Sequence, residues 1–137
     1  MIKMNLIDWT NNYLDYVNSI KKNLVDKEKN NNEIKCQFKD KGSVSYLCYE
    51  NLDDSFFKIY EYYSSKNLVI VTLNKIENLN FLKKNWHVFI KKKDLKFIFV
   101  NIKENLHWAI FPATHHFVSD NLELGLKALF DSVPSLD

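Results

Sequence analysis

Three of the four histidines and one of the three tryptophans fall in the run His107-Trp108-Ala109-Ile110-Phe111-Pro112-Ala113-Thr114-His115-His116, which leads on to Ser119 and Asp120. Histidine changes charge near neutral pH and ligates metals through a neutral ring nitrogen, and Asp120 adds a carboxylate. The stretch therefore holds the residue types of a general base or of a nitrogen-and-oxygen ligand set. Adjacent residues of an extended chain point to opposite sides, which keeps His115 and His116 from one metal ion unless a turn intervenes. Asp120, with Glu123 three residues on, also has the spacing of a helix start. The catalytic candidates are His115, His116 and Asp120, set against a packing role for the same loop, and no metal site is assigned.

Cations supply a second kind of chemistry. Lys83, Lys84, Lys91, Lys92, Lys93 and Lys96 cluster along the back and end of one predicted helix, where ammonium groups meet phosphate without sequence preference. The alternative is a solvated helix face. Lys103 and His107 extend the patch if the strands that carry them fold back beside that helix end. Overall charge is nearly balanced, with 19 Lys plus Arg against 17 Asp plus Glu for a formal net of +2, so composition alone marks no dedicated nucleic-acid binder.

Other chemistries lack their residues. The only glycines are Gly42 and Gly125, and neither stands in a glycine-rich strand-to-helix turn that would cradle phosphate. No nucleophile elbow is present. Cys36 and Cys48 fall on two predicted paired strands with no secretory signal ahead of them and no zinc-ligand spacing, and they read as reduced, buried thiols. No apolar run approaches the roughly 20 residues that cross a bilayer. The expected compartment is the cytoplasm, with no membrane partner.

The elements that position these residues follow from the period of the apolar side chains. Leu6, Trp9, Tyr13, Val17, Ile20 and Leu24 recur at steps of three and four and predict an N-terminal helix, with Asn5 and Asp8 at its start. Ile34, Cys36 and Phe38, then Val44, Tyr46 and Cys48, alternate around the turn Asp40-Lys41-Gly42-Ser43 and predict a hairpin. Residues 56–63 read as a strand of a second hairpin with Leu68-Val69-Ile70-Val71, separated from it by Ser64-Ser65-Lys66-Asn67. Phe57, Tyr60 and Glu61 also suit a helical period, so helix stays open there. Residues 68–73, apolar on both faces, predict a central strand.

From Asn74 a middle helix is expected, with Asn74 and Glu77 as a capping box and Leu79, Leu82, Trp86 and Phe89 as its buried stripe. Strands follow at residues 95–100 and 107–111, the latter ended by Pro112. A C-terminal helix from Asp120 buries Leu122, Leu126, Leu129 and Val133. That stripe leaves Leu124 and Phe130 on the outer face, as candidates for contact with a protein partner or a second copy.

The order helix, strands, helix, strands over residues 5–111 resembles the core of the restriction-endonuclease-like superfamily of nucleases. The resemblance implies an acidic residue on one strand and a Glu-x-Lys or Asp-x-Lys tripeptide on the next, which together hold a divalent metal and activate water. That tripeptide falls here at Thr72-Leu73-Asn74, which offers neither a carboxylate nor an ammonium, although Asp53, Asp54 and Glu61 lie upstream. The implied protein is a non-catalytic subunit or adaptor in a nucleic-acid-related assembly, without a cofactor. Two alternatives stand beside it: a metal-dependent nuclease or hydrolase built on the His-rich loop, and a self-associating interaction module.

At 137 residues, 46% of them hydrophobic, 15% aromatic and only two proline, the chain suits one domain over residues 1–137. The expected fold is α+β: a mixed sheet of five or six strands with N-terminal, middle and C-terminal helices packed on it.

Overall fold

The computed structural model describes residues 4–63 and 66–137. In chain order these form α1 (Leu6–Lys21), β1 (Leu24–Lys29), β2 (Glu33–Phe38), β3 (Gly42–Cys48), α2 (Phe56–Tyr62), β4 (Leu68–Leu73), α3 (Ile76–Lys84), α4 (Trp86–Phe89), β5 (Lys96–Asn101), β6 (Leu106–Ile110), α5 (Pro112–Val118) and α6 (Leu122–Asp131). The class is α+β, around a six-stranded mixed sheet in the order β1-β2-β3-β4-β5-β6. β1, β2 and β3 are an antiparallel meander, β3, β4 and β5 run parallel, and β6 returns antiparallel on β5.

The expected hairpin of β2 and β3 is formed, with Ile34 opposite Tyr46 and Cys36 opposite Val44. Gly42 opens β3 at φ +73°, a conformation that glycine reaches without a Cβ penalty. Asn5 caps α1 by accepting the Asp8 N–H at 3.0 Å. The helix stops earlier than its apolar stripe predicts. Lys22 turns left-handed at φ 53°, Ile20 is exposed, and Leu24 enters the sheet opposite Phe38 as the first residue of a strand that periodicity did not reveal. β1 is an edge strand of mostly charged residues, Leu-Val-Asp-Lys-Glu-Lys, and such strands carry little apolar signal.

Residues 56–62 are a helix, and the second hairpin is not formed. β4 is parallel to β3, so the chain must cross over between them, and α2 makes that crossing. Phe56 and Tyr60, one turn apart, bury their rings against Phe89, with centroids at 6.5 and 5.4 Å. Of the turn expected after this segment, Ser64 and Ser65 lie outside the described residues. β4 is buried along its whole length, as a central strand should be.

The middle helix breaks at Asn85 into α3 and α4, yet Leu79, Leu82, Trp86 and Phe89 are all buried as expected. The cap differs. Lys75 stands at the N-cap of α3 with no side-chain bond to the helix, and the Asn74 side chain turns inward instead. Pro112 opens α5 at its first turn, where its missing N–H costs nothing, so the expected His-rich loop is helical. The cap of α6 is Asn121, which accepts the Leu124 N–H at 3.1 Å, and Asp120 is exposed beside it.

Two apolar layers sandwich the sheet. On one face Leu6, Trp9 and Leu14 of α1 cover Ile34, Cys36, Tyr46, Val71, Ile98 and Val100. On the other, α2, α3, α4 and α6 cover Leu47, Leu68, Ile70, Phe97, Phe99 and Trp108. Successive crossovers of one hand that advance in one direction leave their helices on one side, which is why a single helix has the opposite face to itself. That face is therefore only partly roofed.

Candidate functional site

The sequence-predicted site residues do not converge. His115 and His116 sit on α5 on either side of Trp86: the His115 ring meets it edge-on at 6.0 Å, and His116 Nδ1 accepts its indole N–H at 3.2 Å. His115 Nε2 is sealed with no hydrogen-bond partner, close enough to α6 that a Cβ at Gly125 would lie 3.0 Å from it. Burial holds the His115 pKa below the usual histidine value. Asp120 points to solvent, and among the described residues no three His, Cys, Asp or Glu side chains gather as a metal set would.

The lysine patch divides as well. Lys83 pairs with Glu123 of α6 at 2.9 Å and Lys92 with Asp94 at 3.1 Å, while Lys84, Lys91 and Lys93 are exposed. Lys96 is on β5 next to Phe97, so it projects from the opposite face of the sheet, the side of α1. Of the outer-face candidates on α6, Leu124 is exposed, but Phe130 is buried in the core with Leu126. The helix starts one residue later than expected, at the Asn121 cap, and Phe130 stands one turn after Leu126 on the same face, so the two are buried together.

The position that the nuclease resemblance gives to its tripeptide is closed. Thr72 and Asn74 are fully buried at the C-terminal ends of the parallel strands, where open α/β sheets generally bind ligands. The Asn74 amide donates to the Val133 and Pro134 carbonyls at 3.0 and 3.3 Å, and its oxygen accepts the Trp108 indole N–H at 2.8 Å. Asn101 donates to the Pro134 carbonyl at 2.9 Å, and the Leu136 N–H reaches the Asn74 carbonyl at 2.9 Å. Residues 133–137 thus lie across the ends of β4 and β5. Asp53 is occupied as acceptor for Ser55, and Asp53, Asp54 and Glu61 are all exposed.

An open site lies elsewhere, between α1 and β6 on the partly roofed face. A cleft of about 580 Å³ is walled by Trp9, Tyr13 and Tyr16 of α1 and by His107 of β6, with Asn12 and Asn105 at its edge. Trp9 and Tyr13, one helical turn apart, stack at 5.2 Å, and the Trp9 indole N–H donates to Asn105 Oδ1 at 2.8 Å. The His107 ring stands across both at 5.6 and 5.1 Å. Tyr16 is 66% exposed.

Beyond His107 the same strand face continues through Ala109, exposed and small, to Phe111, which is 44% exposed. The Lys96 ammonium lies 5.6 Å from the centre of the Phe111 ring. Half-buried, it has no carboxylate within ion-pair distance among the described residues. Burial first, then repulsion from Lys41 and Lys21, lowers its pKa, so three cations share this end of the face. His107 is lowered too, by burial and then by Lys96. The result is a strip that runs from the aromatic cleft at His107, past Ala109, to the Phe111 ring with the Lys96 ammonium over it.

Sequence reading missed this strip. The periodicity places Trp9 and Tyr13 on the core stripe of α1, and it joins His107 to the Lys96 patch only through the end of the middle helix, not through the face of α1. The available signal was the exposed partner Tyr16 three residues after Tyr13, together with the alternation His107, Ala109, Phe111. No protein-family model, curated protein or solved structure matches the chain.

Proposed function

We propose that this protein is a non-catalytic nucleic-acid-binding module, a subunit or adaptor of a cytoplasmic assembly, whose order of elements resembles that of the restriction-endonuclease-like nucleases. The reading rests on one observation: the Lys96 ammonium, with no carboxylate within ion-pair distance among the described residues, lies over the exposed Phe111 ring on the same sheet face as a cleft walled by Trp9, Tyr13, Tyr16 and His107. A phosphate backbone neutralises such charges, and bases stack on such rings. The surface moves from the middle-helix lysines to the face of α1. The closed strand ends at Thr72 and Asn74 fit a module without the nuclease's metal chemistry, and a divalent metal belongs only to the hydrolase alternative on His115 and His116.

Fluorescence anisotropy of labelled DNA and RNA, titrated with the protein at several salt concentrations with magnesium or manganese present, tests the proposal. Salt-sensitive binding without cleavage is expected. Lys96→Gln should weaken it and lower the slope of log affinity against log salt by about one. Absence of binding at low salt removes the nucleic-acid reading.

A second reading, self-association, draws on the apolar residues that α5 and α6 leave exposed: Phe117 at 92%, Val118 at 74% and Leu124 at 64%.

A further inference from the structure

We propose that the strip along β6 takes single-stranded nucleic acid, seating unstacked bases on His107 and Phe111 with the backbone passing Lys96; this rests on the nucleic-acid reading and narrows it. His107, Ala109 and Phe111 lie two residues apart on one strand face, so His107 and Phe111 stand roughly 13 Å apart at the usual rise per residue. Bases within a duplex follow one another every ~3.4 Å per strand and hide their ring faces. Two platforms at the wider spacing therefore address bases that have left the stack. Ala109 between them leaves the floor open, and the α1 wall rises on one side with the exposed Tyr16 ring.

The ring geometry supports the same ligand. His107 meets Trp9 and Tyr13 at interplanar angles of 63° and 72°, so neither ring is stacked on the imidazole, and the Lys96 ammonium lies over one face of the 44% exposed Phe111 ring, which leaves the other face as the platform for a base. The chain contains no arginine, the residue that reads guanine edges and phosphates bidentately. Lysine gives point-charge contacts, and stacking accepts any base, so the expected binding distinguishes strand state more than sequence.

Competition anisotropy with four unlabelled probes of equal length separates the possibilities: oligo-dT, oligo-rU, an abasic deoxyribose-phosphate strand, and a duplex. The base-bearing single strands should displace the labelled strand at about ten-fold lower concentration than the abasic strand or the duplex. Phe111→Ala should remove most of that margin while leaving abasic binding unchanged, and Ala109→Leu, which fills the floor, should do the same without altering a platform ring. Circular dichroism of each variant confirms its fold. Equal competition by the abasic strand or the duplex overturns the stacking inference and leaves general phosphate binding standing. Failure of all four probes overturns both.

Discussion

The imidazole of His115 is sealed at its Nε2 between α5 and α6, against Gly125, Ser119 and the Trp86 ring. Adding a proton there places an unpaired N–H and a positive charge where no acceptor waits. Its folded pKa is accordingly depressed by burial, with no charged neighbour contributing. A histidine that binds its proton less well folded than unfolded contributes stability that is complete above the ordinary histidine value. That stability falls as pH drops through about 6.5 towards the folded pKa, below which the loss is complete. Urea unfolding of the native protein and of His115→Gln from pH 7.5 to 5.5 should show a steeper decline for the native chain; parallel curves would show that His115 does not titrate in this window. The thiols have a different fate. Burial pushes both Cys36 and Cys48 up to about 11, which leaves them poor nucleophiles at neutral pH. Their places on the β2–β3 hairpin, with Cys36 opposite Val44 and Cys48 four residues beyond, hold them roughly 13 Å apart at the usual strand rise, outside disulfide reach.

Among the elements, α6 separates two kinds of apolar residue that its sequence presents together. Leu124 faces solvent, whereas Phe130 packs into the core with Leu126 beside α3. Phe130→Ala should cost about 3–5 kcal/mol of stability, the range for truncating a buried phenylalanine. Leu124→Asp combined with Phe117→Asp should leave the thermal midpoint nearly unchanged, since exposed substitutions usually alter stability by less than about 0.5 kcal/mol. If α5 and α6 carry a contact between copies, light scattering of the native chain gives a mass above that of one copy, and the double variant gives a smaller one. An unchanged mass removes self-association. Gly125 belongs to the same element and is needed for space: a Cβ there would crowd His115 at 3.0 Å, which explains a glycine inside a helix where it otherwise weakens stability.

At the scale of the whole molecule, the last residues decide which end of the sheet is open. Residues 133–137 lie over the ends of β4 and β5, held by Asn74 and Asn101, and the Asp137 carboxylate accepts the Ile76 N–H at 2.8 Å at the start of α3. Asn74 satisfies carbonyls and the Trp108 indole at once, so Asn74→Ala should cost roughly 2–4 kcal/mol by leaving several buried groups unpaired. Thr72, two residues earlier, has a buried hydroxyl with no hydrogen-bond partner among the described residues, and Thr72→Val should stabilise by about 1 kcal/mol. Equilibrium denaturation checks both, and a destabilising Thr72→Val would mean that the hydroxyl is satisfied. With the ends of β4 and β5 covered, the cleft of about 580 Å³ between α1 and β6 opens on the partly roofed face instead.

Local pattern alone determined the elements whose residues answer to one neighbour: the β2–β3 hairpin with its turn at Gly42, the doubly apolar β4, and the stripe Leu79, Leu82, Trp86 and Phe89. The α+β class with a mixed sheet of five or six strands followed from the order of those elements, although residues 56–62 are a helix and β1 was not among the expected strands. The strand-or-helix choice at residues 56–62 required the parallel pairing of β3 and β4, because aromatic-rich sequence fits both periods and only the crossover selects one. Asn74 reads as a helix cap until Val133, Pro134 and Trp108 arrive from far along the chain to take its hydrogen bonds. The candidate strip is likewise a tertiary product: Tyr13, Lys96 and His107 are distant in sequence, and no period along the chain encodes which sheet face a single helix leaves uncovered.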